Sequence, residues 1–113
     1  MKYLLFLLAV PFVMGSTCNQ LNQSTPACIL AKIQQIKAQP RWNPPAQVDE
    51  YVYNGRHVYL FSSNCCDQYN VLYDGNCNPV CAPSGGFAGK GDGKCPDFNE
   101  KATHVKLVWK DDR

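Results

Sequence analysis

The chain has 113 residues, 45% of them hydrophobic, and its eleven Lys and Arg against nine Asp and Glu leave a formal charge of +2. That balance provides no basic stripe and excludes the nucleic-acid-binding class, while the length admits one small domain. Seven cysteines in so short a chain direct attention to cross-links rather than to a large core.

Lys2 followed by the apolar run Tyr3–Met14 has the form of an export signal, with cleavage expected after Gly15. The run is well short of the ~20 residues that span a bilayer, so no transmembrane helix is expected. Residues 1–15 are read as signal peptide, 16–25 as a flexible lead-in and 26–113 as a single cysteine-rich domain. A secreted, extracellular or periplasmic location follows, where cysteines pair as disulfides. Cys18 stands apart just after the signal. It is a candidate for lipidation, which would make the protein a membrane-anchored lipoprotein, or for an unpaired thiol. Thr17 before it suits lipid attachment poorly. Asn22-Gln23-Ser24 is an acceptor pattern for N-glycosylation.

Ser24-Thr25-Pro26 predicts a helix start, a hydroxyl cap followed by proline at the first helical position. Ile29, Ile33 and Ile36 recur at helical spacing with polar residues between them, and Pro40 ends the helix near Ala38. Cys28, in the first turn, is placed to staple this core-packing helix. A proline-rich connector follows, in which Trp42 is expected to cover one end of the core.

Asn54-Gly55 between Val48–Tyr53 and Arg56–Phe61 is a strong hairpin signal, because both turn residues tolerate φ > 0. A two-residue turn pairs Tyr53 with Arg56, Val52 with His57, Tyr51 with Val58 and Glu50 with Tyr59. Both faces are then half apolar, which predicts cover on each side, by the helix on one and the cysteine-rich segment on the other. Val71–Tyr73 and Pro79–Cys81 form a shorter hairpin around Asp74-Gly75-Asn76. Asp97–Thr103 is expected to hold a helical turn. Val105, Leu107 and Trp109, alternating with His104, Lys106 and Lys110, predict a half-buried strand, and the end Lys110–Arg113 is expected to be solvated. The fold class is α+β, one N-terminal helix packed on an antiparallel sheet of four to five short strands, stabilised by disulfides and carrying a long Gly-rich loop.

The segment Cys65–Cys95 holds five of the seven cysteines, and five of the eight glycines crowd into Gly85–Gly93. Cys28, Cys65, Cys66, Cys77, Cys81 and Cys95 are the disulfide candidates. Adjacent Cys65 and Cys66 are expected to bond different partners. No Cys-x-x-Cys occurs, which argues against dithiol redox chemistry, and the spacings fit no zinc pattern with His57 or His104. Phosphate-loop and dinucleotide spacings fail in the glycine run. Asp67, Asp74, Asp92 and Asp97 are weak calcium candidates, with turn capping as the alternative. No serine-hydrolase motif is present, and no cofactor is expected.

CCDQYNVLYD, CAPSGGFAGKGDGKCPDF and VWKDDR together resemble a family of small, uncharacterised exported proteins, mostly bacterial, many with lipoprotein-type signals. The resemblance runs from Cys28-Ile29 to the C-terminus and implies one domain without an assigned activity. Cys77 and the weak lipidation signal depart from its pattern. Asn78-Pro79-Val80-Cys81 also resembles a step in Kazal inhibitors, without their cysteine spacing.

The reading is a non-enzymatic binding or structural module using loop 82–94, with Phe87, Lys90, Asp92 and Lys94 as the contact residues. A bond between Cys81 and Cys95 would stiffen that loop by about 3 kcal/mol, leaving exposed backbone N–H groups for an anion or an extended peptide. The partner is an unknown extracellular protein or small ligand. A proteinase inhibitor presenting Lys90 or Phe87 is the alternative, and a small secreted enzyme the second.

Overall fold

The computed structural model describes residues 25–113; the expected signal segment, Cys18, Asn22 and Ser24 lie outside the described residues. Helix α1 (Ala27–Lys37) leads into strands β1 (Gln47–Tyr53), β2 (Arg56–Phe61), β3 (Tyr69–Asp74) and β4 (Pro79–Gly85). A short helix α2 (Phe98–Lys101) and strand β5 (Thr103–Lys110) complete the order. All strand pairs are antiparallel, in the order β4-β3-β2-β1-β5. The fold is α+β, as expected.

Asn54 and Gly55 adopt φ of 52° and 74°, the left-handed turn that matches strand twist. The resulting register pairs Tyr53 with Arg56, Val52 with His57, Tyr51 with Val58 and Glu50 with Tyr59. Because side chains alternate, this register divides the sheet into two apolar faces. Val48, Tyr59 and Phe61 meet Ile29, Ile33 and Ile36 of α1 on one face. Tyr53, Val58 and Leu72 meet Cys81, Cys95 and Phe98 on the other. Phe98 sets its ring edge-to-face against Tyr51 and Tyr53, at centroid distances of 5.0 and 5.4 Å. Each face therefore receives the cover expected of it.

Two disulfides link these layers. Cys28 in α1 bonds Cys77 in the β3–β4 turn, and Cys81 in β4 bonds Cys95 before α2. The turn is shaped by Asp74, whose Oδ1 accepts the backbone N–H groups of Asn76 (2.8 Å) and Asn78 (2.9 Å), leaving Cys77 at φ 62°.

Five expectations need correction. Cys65 and Cys66 bond each other rather than separate partners; they sit in the β2–β3 connection, outside both apolar clusters, and the other four described cysteines bond among themselves. Pro26 is the residue before the helix rather than its first member, and no side chain among the described residues caps the N-terminus. Strand β4 runs on to Gly85, so the irregular part of the loop begins at Gly86 rather than at Ala82. Strand β5 does not alternate cleanly. Its pairing to β1 shifts twice, once between Val48 and Asp49 and once between Glu50 and Tyr51. These β-bulges place Trp109 and Lys106 on the helix side and Leu107 and His104 on the other. As the outermost strand β5 is also largely exposed, with Leu107 49% accessible.

The charged end is solvated only in part: Lys110, Asp112 and Arg113 are exposed, and Asp111 is not. Asp111 is 2% exposed, and its backbone N–H donates to Ala46 O. Its carboxylate accepts from the Arg113 guanidinium at 2.7 and 2.9 Å. The same guanidinium donates to Lys37 O and Gln39 O, satisfying carbonyls that the end of α1 leaves without helical partners.

Candidate functional site

The glycine loop folds back on the strand from which it springs. Gly91 N–H donates to Gly85 O, Asp92 N–H to Ala82 O, Gly89 N–H to Gly86 O and Gly86 N–H to Gln68 O. A Cβ on Gly91 would lie 2.0 Å from Ala82 O, so only glycine admits this approach. Asp92 Oδ1 accepts the Lys94 N–H at 3.0 Å, and that bond holds the Asp92 carboxyl below its ordinary pKa. Most of the backbone donors that the glycine composition suggested for an anion are thus directed at protein oxygens. At the tip the loop leaves Phe87 93% exposed, beside exposed Lys90. Of the four contact candidates, Phe87 is the prominent one.

The four aspartates do not converge. Asp74 holds its own turn, and the Asn78 N–H keeps its pKa low. Asp97 accepts the Tyr53 hydroxyl at 2.5 Å, which lowers the pKa of Asp97 and raises that of Tyr53, and it also pairs with Lys101. Among the described residues no group of three or more His, Cys, Asp or Glu is placed to hold a metal. Each histidine meets a carboxylate on a different face. His57 Nδ1 donates to Glu50 Oε2 at 2.5 Å, and His104 Nε2 lies 2.9 Å from Asp49 Oδ1. The six described cysteines are all in disulfides, so neither histidine has a free thiol beside it among the described residues.

The sequence reading missed a cleft. It lies between the C-terminal half of α1 and the Ser62–Gln68 connection, with a volume of about 450 Å³, within the ~300–1,000 Å³ range of small-molecule pockets. Phe61 and Tyr73, packed edge-to-face at 5.3 Å, form its aromatic floor with Val71 and Ile36. Trp42 and Tyr69 stand at its sides, and the amides of Gln35, Gln39, Asn64 and Gln68 at its rim. Lys32 lies 4.2 Å above the Tyr73 ring and is the one fully charged side chain among the lining residues. Among the described residues no carboxylate, histidine or thiol lines it. Trp42 was expected only as a core cover; its place among proline residues was the one signal in the sequence.

The family model of a domain of unknown function, DUF6970, matches residues 34–111. The chain belongs to that family. This agrees with the expected membership in an uncharacterised family, and the family carries no assigned activity. The matched stretch takes in the whole sheet, both sides of the cleft and the glycine loop; Cys28, which bonds Cys77, precedes it. No match is found among curated proteins or among solved structures.

Proposed function

We propose that this DUF6970 domain is an exported, non-enzymatic binding module that meets its partner through loop 82–94, with Phe87 as the anchor. One observation carries the reading: a nearly fully exposed phenylalanine stands on a loop that a disulfide and four backbone hydrogen bonds hold in one shape. A stiff loop presents such a side chain with little ordering cost on binding. The partner is an extracellular protein with an apolar pocket. Export is supported by the apolar leader and by three disulfides, and lipid attachment at Cys18 would place the module at a membrane surface.

The test is photo-crosslinking from benzoylphenylalanine at position 87 on cells of the source organism, with Asn99 as the control position. A discrete adduct is expected from position 87, competed by excess wild-type domain and not by Phe87→Ala. Equal labelling from both positions, or none from position 87, overturns the reading. The inhibitor alternative rests on Phe87 and Lys90 standing exposed together. However, the Gly89 N–H bond to Gly86 O folds this segment into a tight turn, whereas a protease cleft takes an extended strand. Assays with chymotrypsin-like and trypsin-like enzymes are expected to show no inhibition.

A further inference from the structure

We infer that the cleft between α1 and the Ser62–Gln68 connection is a binding site for a neutral saccharide. The inference stands on the lining chemistry and does not rest on the loop reading.

A pyranose ring has an apolar C–H face and a belt of vicinal hydroxyls, so a site for it needs an aromatic platform bordered by groups that both donate and accept. Trp42 and Tyr69 supply the aromatic surface, above the floor formed by Phe61 and Tyr73. Gln35, Asn64 and Gln68 supply amides, each carrying a donor pair and an acceptor on one planar group. Other ligand classes fit less well. A cation finds no carboxylate in the lining. An anion finds one ammonium, already over an aromatic ring, and meets α1 by its C-terminal half, the negative end of the helix dipole. A lipid chain would desolvate the amides of the rim without pairing them.

The walls are held in advance of binding. Gln39 Oε1 accepts the Trp42 indole N–H at 3.0 Å and fixes the ring. The connection is pinned at one end by Ser62 N–H to Gln47 O and Gln47 N–H to Ser62 Oγ, and by Ser63 N–H to Asn70 Oδ1. At its other end Gln68 O accepts the Gly86 N–H, and the Cys65–Cys66 bond closes a ring between the two ends. Tyr69 lies against the backbone of Gly86, where a Cβ would come 2.5 Å from its ring. A site so fixed loses little conformational freedom when it is filled.

The test is titration of the folded domain with neutral oligosaccharides (cellobiose, maltose, lactose and chitobiose, with their longer homologues) by calorimetry and by tryptophan fluorescence. The chain has two tryptophans, and Trp109→Phe leaves Trp42 as the reporter. Saturable binding of at least one saccharide with a change in Trp42 emission is expected. Trp42→Ala and Tyr69→Ala are each expected to weaken it about tenfold or more, whereas Lys106→Ala, on β5, leaves it unchanged. Since Trp42→Ala removes a half-buried side chain, the exposed pair Gln35→Ala/Asn64→Ala decides independently, with an expected loss of about tenfold. Absence of saturable binding by any member of the panel overturns the inference, as does binding that the Gln35/Asn64 pair does not alter.

Discussion

The two faces of the sheet solve the same problem with different materials. On one side an eleven-residue helix brings three isoleucines onto Val48, Tyr59 and Phe61. On the other, a segment with no regular structure beyond one turn of helix brings Phe98 and a half-cystine onto Val58 and Leu72. Each cover is tied by its own disulfide, and the loops these close differ in length: 49 residues separate Cys28 from Cys77, but 14 separate Cys81 from Cys95. A helix reaches the sheet with its own apolar stripe, whereas the irregular segment carries less aliphatic surface of its own.

The largest test of this comparison is to remove the bonds one pair at a time. By the chain-entropy relation, Cys28→Ser/Cys77→Ser is expected to cost about 4 kcal/mol and Cys81→Ser/Cys95→Ser about 3 kcal/mol. Urea titration checks the order. The reverse order would mean that the irregular cover depends on its bond for more than chain entropy.

The histidines offer a smaller contrast. Glu50 is 2% exposed on the helix side and bonds His57, so His57→Ala should leave a buried carboxyl without that partner and cost about 1–3 kcal/mol. On the opposite side His104 and Asp49 are solvent-accessible, and His104→Ala should cost less than about 1 kcal/mol. Thermal melts of the two variants side by side would show the difference.

The smallest expected effect is one of pH. Hydrogen bonds from Arg113 hold the Asp111 carboxyl at about 2, below its ordinary 3.8. A carboxyl lowered by folding contributes stability that is complete above its unfolded pKa and is lost as pH falls from about 4 towards 2. Asp74, Asp92 and Asp97 are shifted in the same direction. Wild-type melting temperature should fall across that window, and Asp111→Asn should be less stable near neutrality and show a shallower fall.

The hairpin register and the two-sided cover could be read in advance because they depend on local rules. Asn54-Gly55 admits one tight turn, and that turn assigns every residue of β1 and β2 to a face. Strand β5 has no such turn to fix its count. Its bulges arise where it meets β1, so the positions of Leu107 and Trp109 depend on a strand about sixty residues away in the chain. The burial of Asp111 and the bonds of Arg113 could not be read in advance because the carbonyls Arg113 meets, those of Lys37 and Gln39, are its neighbours only in the fold. The cleft was invisible for the same reason: its lining comes from α1, the connector and the segment between Phe61 and Tyr73, none of which carries a motif alone. The Cys65–Cys66 bond shows the opposite limit, where adjacency was visible but the pairing of the other four described cysteines among themselves was not.

The glycine run, finally, has a consequence for how copies of this domain behave together. A strand at the margin of a sheet offers unpaired carbonyls to any other strand that drifts past, and β4 stands at such a margin. Here Ala82 O is already taken by Asp92, through an approach that only glycine at position 91 allows. Pro79 and Pro83 remove two further N–H groups from the same strand. At the opposite margin β5 is broken by bulges and carries Lys106 and Lys110. Composition that first suggested a recognition loop thus also acts against aggregation, keeping a small sheet from growing into a larger one.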